Sequence, residues 1–164
     1  MNFKKPDFKD PATICVLVGS FLMLLASFLP VEKLKVSIWG ISESETGTLM
    51  GDYHHQGIFL LLLAIATVVI LVLNLDKEKF LSGALGASAA FGLWALIDVI
   101  RDVSDSKKDI KSAGMEDVGS VSYQFGFFVL ILAIIAVGAA IFFVTKSLKK
   151  GSPAQTQTPQ VPQA

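Results

Sequence analysis

Chemically reactive residues are scarce in this chain of 164 residues. A single cysteine, Cys15, excludes an internal disulfide, a CxxC redox pair and a thiolate zinc cluster. There are two histidines, the adjacent His54 and His55. Neighbours on a strand point opposite ways, and a closed zinc site here needs carboxylates to complete it. Charged residues make up only 17% of the chain, with 14 basic and 14 acidic side chains. That balance removes the electrostatic footprint of a nucleic-acid binder, and no acidic run offers itself to a cationic partner. No Gly-rich phosphate loop, nucleophile elbow or His–acid–nucleophile set is present. The sequence therefore reads as non-enzymatic and implies no cofactor.

What the chain has in excess is apolar side chain, at 52% of residues. A soluble domain of this size cannot cover that much with its own polar surface, so the excess needs lipid. Four runs reach the ~20 residues that a helix needs to cross ~30 Å of hydrocarbon. They lie at residues 12–30, 57–75, 80–100 and 122–145. The expected fold class is an all-α membrane protein, a four-helix transmembrane bundle. Asp10 before Pro11 reads as an N-cap with proline at the first helical position, and Pro30 marks the exit of the first span. That first run is too long for a signal-peptide core and its exit, SFLPVEK, lacks a small-x-small cleavage pattern, so it reads as a retained span.

The segments between the spans are uneven. Residues 76–79 form a tight turn between spans two and three. In residues 31–56, Leu34, Val36 and Ile38 alternate with Lys35, Ser37 and Trp39 as in a strand. Ser42 to Gly47 is turn-like and Thr48 to Met50 reads as the return, a short β-hairpin. Residues 101–121 read as a solvated loop with at most a turn of helix; Gly119, Ser120, Ser122 and Gln124 read as an interfacial start to span four. The Gln/Pro/Thr-rich tail, residues 146–164, is expected to be disordered. With both termini inside, eight Lys and Arg lie on the inner side against six outside, so the termini, including residues 1–11, are expected in the cytoplasm.

Function could reside in three places. On span three Ser82, Gly86 and Ala90 recur every fourth residue among other small residues, and Ala136 and Ala140 repeat the spacing on span four. Such rows let helix backbones approach in lipid, within one chain or against a partner. Small residues nearly all round suggest that span three is central to the bundle. Asp98 ends that span with Arg101 at i+3, which reads as an interfacial ion pair; the sharper reading of an acid at this depth is a proton or cation site. Asp52, His54, His55 and Asp98 are candidate metal ligands or a pH sensor, set against the plainer reading of interfacial polar residues. Trp39, Tyr53 and Tyr123 read as an aromatic belt. Cys15 reads as a small apolar filler in span one.

The first outer loop followed by a hairpin of spans resembles the layout of claudin-like tetraspan proteins. Only Trp39, Gly40 and Ile41 match part of the claudin signature, whose two cysteines are missing here. The chain more closely resembles small uncharacterised four-span bacterial membrane proteins, through ASFLP (Ala26 to Pro30), VSIWGIS (Val36 to Ser42) and the turn at Thr46 and Gly47. That resemblance implies a bacterial cytoplasmic membrane and transfers no activity. The expected function is that of an accessory or scaffolding subunit docking through small-residue helix faces onto a larger membrane protein or itself. The alternative is a small oligomeric transporter or channel for a cation or proton, using Asp98 and the cluster from Asp52 to His55.

Overall fold

The computed structural model describes residues 9–39, 41–73 and 77–151. The expected N-terminal segment before Lys9, residue 76 of the expected turn and the tail from residue 152 lie outside the described residues. The element order is α1 (Pro11–Phe28), β1 (Pro30–Ile38), β2 (Ile41–Thr48), α2 (His54–Leu73), α3 (Lys77–Ser112), β3 (Gly119–Tyr123) and α4 (Phe125–Gly151). The four helices are long and apolar enough to cross a membrane, as a multi-pass membrane protein requires. Each packs on two neighbours in a closed ring, α1 on α2, α2 on α3, α3 on α4 and α4 on α1, with α1–α4 the most extensive interface.

Local chemistry explains the helix ends. The Asp10 carboxylate accepts hydrogen bonds from the Ala12 and Thr13 N–H groups and from the Thr13 hydroxyl, capping α1 with Pro11 at its first position. The helix stops at Phe28 because Pro30 denies the preceding residue its helical conformation. At the start of α4, an added Cβ on Gly126 would lie 2.6 Å from the Pro30 carbonyl. Only glycine lets α4 pass that close to the α1–β1 junction.

Three expectations change. First, the strands form a three-stranded antiparallel sheet in the order β2-β1-β3, not a lone hairpin. The stretch read as a turn, Ser42 to Gly47, is most of β2, because Ile38 pairs directly with Ile41 and pairing then runs down to Pro30 opposite Thr48. Residues 119–123, read as the start of span four, are β3, paired with β1 from Glu32–Tyr123 to Val36–Gly119. That pairing joins segments some ninety residues apart, which local patterning does not reveal.

Second, residues 101–112 are helix. At 36 residues α3 is about 54 Å long, and roughly 20 residues suffice to cross a bilayer. The remainder stands above the bundle against the sheet. Val99, Val103 and Ile110 carry the spacing of one helix face; Val103 is fully buried, and an added Cβ on Gly119 of β3 would touch Ile110 at 3.4 Å. The helix ends in a glycine cap: Gly114 adopts φ +65°, its N–H donates to the Lys111 carbonyl, and Met115 N–H donates to Ile110.

Third, α4 continues through residue 151, so the tail expected from residue 146 begins as helix.

Trp39 also leaves the expected aromatic belt. Its neighbours in β1 lie beside Gly119 and Ile110, and Ile110 is twelve residues beyond Asp98, about 18 Å along the helix. The hairpin apex therefore stands well clear of the span ends, with Trp39 98% exposed and in the left-handed region at φ +54°. Tyr53 and Tyr123 stay at the ends of the spans. Cys15 packs at the edge of the helical core as a free thiol.

Candidate functional site

The polar residues collect where the helices give way to the sheet. β1 brings Glu32, the turn after β2 brings Asp52 and Tyr53, α2 opens with His54, His55 and Gln56, and α3 supplies Asp98 and Asp102 one turn apart. The turn is braced from within. Asp52 accepts from the Thr48 N–H at 2.8 Å, the Asp52 N–H donates to the Thr48 carbonyl, and the Thr48 hydroxyl accepts from the Gly51 N–H. Much of the bonding capacity of Asp52 is thus spent on its own turn.

Asp98 does not pair with Arg101, which is exposed. Its carboxylate accepts a hydrogen bond from Nε2 of Gln56, tying the first turn of α2 to α3. An amide at an apolar span's first turn, facing an acid at the end of the next span, is a signal that the sequence carried and that only contact between the two helices makes legible. Gln56 is 7% exposed, and its Oε1 is buried without a partner.

Above this bond lies an acidic pocket. Glu32, Leu34, Glu45, Gly47, Asp52, Ser106 and Val121 surround a space of about 200 Å³ with no basic side chain among them. The Glu32 carboxyl is pushed above its usual value, first by burial, then by the charges of Asp102 and Asp52, with the Tyr53 hydroxyl opposing. The Tyr53 phenol is pushed up as well, by burial first and then by Asp102 and Glu32. Its hydroxyl is directed towards these two carboxylates, yet its oxygen is buried and makes no hydrogen bond of full geometry. Glu32, Tyr53 and Asp102 are not legible as a group in the sequence, because β1, the turn and α3 meet only in three dimensions.

Of the candidate metal ligands, Asp52, His55 and Asp98 have described side chains. Among the described residues, no three His, Cys, Asp or Glu side chains are placed to hold a metal ion. His54 and His55 open a helix rather than sitting on a strand. His55 is exposed, and the side chain of His54 lies outside the described residues.

The small-residue rows divide. Ala140 is fully buried, and α1 meets the row at Gly19, where an added Cβ would lie 3.5 Å from the Ala136 carbonyl carbon. The α3 row faces away from the ring: Gly86 and Ala90 are exposed, and an added Cβ on Gly83 or Gly86 would meet nothing within 4 Å. Ser82 is partly covered. Instead α3 buries the larger Leu81, Leu85 and Val99. Composition alone suggested a central helix; the direction of burial shows one with an open small-residue side.

No family model, no curated protein and no solved structure matches this chain.

Proposed function

We propose that this protein is a non-enzymatic accessory subunit of a bacterial cell membrane, with both termini in the cytoplasm, docking through α3 onto a transmembrane helix of a larger partner. The observation that carries this reading is the open space around Gly83 and Gly86. Helices in lipid gain little from burying one apolar side chain against another, and close backbone approach through small residues is a main source of their association. A helix that buries Leu81 and Leu85 inside and leaves Gly83 and Gly86 outside has kept a close-packing face for another molecule. The thin excess of Lys and Arg on the side of the termini supports the orientation.

The experiment is native purification in mild detergent of the wild type and Gly86→Leu. Because the site is open, the variant keeps its monomer stability while losing a stoichiometric foreign membrane protein. A homo-oligomer of the chain alone, retained in Gly86→Leu, refutes this reading and favours the oligomeric transporter with its ion at Asp98.

A further inference from the structure

The sheet has an edge that no described part of the chain covers. α3 packs against β3 and β1, and the strand order β2-β1-β3 leaves β2 outermost. β2 pairs with β1 alone, and no other segment among the described residues bonds to its backbone from Ile41 to Gly47. It is exposed along most of its length, with Ile41 at 69%. An edge of this length without proline or lysine is a template for one more strand. Its side chains divide by face, because residues directly opposite in an antiparallel pair share one. Ser44 and Thr46 stand opposite Lys35 and Lys33 on one face, and Glu43 and Glu45 stand opposite Val36 and Leu34 on the other. On the second face Leu34, Val36, Glu43, Ser44 and Glu45 surround a space of about 450 Å³, an apolar floor bordered by two carboxylates. Neither carboxylate has an ion pair among the described residues.

From this geometry we propose that β2 accepts an extended segment of a partner protein as a fourth, antiparallel strand, with basic residues at two alternate positions opposite Glu43 and Glu45. The segment reads basic, any, basic, any, apolar, so that its last side chain meets Ile41. Backbone hydrogen bonds to the open edge supply the attachment, and the side chains of one face supply the choice. A Lys or Arg placed there lays its methylene stem over Leu34 and Val36 and sets its charge between the two acids. A second copy of this chain is the wrong occupant. An antiparallel β2–β2 pair centred on Ser44 sets Glu43 of each copy against Glu45 of the other, and one centred on either glutamate sets like against like. Like charges directly opposite repel. This edge is separate from the small-residue face of α3, so the inference does not rest on the docking reading above.

The test uses the full chain in detergent and a peptide of eight residues, the length of β2, in which two lysines and then a valine alternate with threonines. Binding is read by fluorescence anisotropy and by hydrogen exchange of the β2 amides. The peptide should bind and slow exchange between Ile41 and Gly47, and the same peptide with glutamates for its lysines should not. Glu43→Lys combined with Glu45→Lys, both at exposed positions, should weaken binding about tenfold in a protein that melts as the wild type does. Two N-methylated peptides separate strand addition from simple charge attraction, since alternate amides of a strand point to opposite edges. Methylation of one alternate set should abolish binding, and methylation of the other should leave it intact. Equal binding of the two methylated peptides, or unchanged binding by the double variant, overturns the proposal. So does an absence of protection in β2 at millimolar peptide, or a dimer of the chain alone that buries β2.

Discussion

Two residues on the sheet side carry a cost that a single substitution relieves. Trp39 holds a left-handed conformation that L-residues other than asparagine, aspartate and glycine adopt at a penalty of about 1–2 kcal/mol. Being almost wholly exposed, it returns little packing for that strain. Trp39→Asn should therefore stabilise the hairpin by up to about 1 kcal/mol, seen as a higher melting temperature; a lower one means that the indole is held by something outside this chain. Glu32 is the other. Its carboxyl is held above its ordinary value of 4.5, so the folded state takes up a proton more readily than the unfolded chain. The stability this contributes is present below the ordinary value and is lost as pH rises through the raised one. Glu32→Gln should then melt higher than the wild type at pH 8 and equally at pH 4. The gain should stay below about 1 kcal/mol, because solvent screens a group this accessible. A variant less stable at pH 8 would show that the ionised carboxylate supports the fold.

At the scale of the element, α3 does two jobs with one continuous helix. Its lower part closes the ring and its upper part holds the sheet, with Val99 and Val103 fully buried along the way. The two sides of its lower part differ sharply in what they tolerate. A Cβ on Gly92 would lie 3.0 Å from both Ile134 of α4 and Met23 of α1. Gly92→Leu should overpack that junction and cost about 1–3 kcal/mol, read as a lowered melting temperature in detergent. The open site at Gly86 should show no such loss, and equal destabilisation by the two substitutions would mean that both faces are buried. The pairing of Gln56 with Asp98 also belongs to this scale, since it joins the first turn of α2 to the end of the apolar part of α3. At the end of a span an acid without a partner is costly, and the amide supplies the partner that Arg101 does not.

For the whole molecule, the sheet gathers both loops on one side of the bundle. In a Cys15→Ser background, single cysteines at Ser44 of β2 and Ser106 of α3 should behave alike, because both stand beyond the same span ends. With the termini in the cytoplasm, both should react with an impermeant reagent added to intact cells, and a cysteine at Ser152 should not. Labelling at Ser152 alone would reverse the orientation; labelling at only one of the first two would contradict the fold itself.

The sequence by itself determined the four spans, the capped start of α1 and the strand character of residues 34–38, because each rests on a run of neighbours whose lengths and periods are read locally. It did not determine β2 and β3, whose polar residues become strand only when β1 lies beside them. Nor did it determine the upper half of α3, a mixed-charge segment whose helix is stabilised by what Val103 and Ile110 pack against. The small-residue row was legible as a row, but whether it looked inward or outward was settled by the larger residues on the opposite side of the same helix. Glu32, Tyr53, Gln56 and Asp98 sit on four separate elements, and the helix ends that meet at the base of the sheet bring them together. Spacing along a chain records how a segment folds. Which segments then face one another is decided by packing, and the candidate sites of this protein exist only at that level.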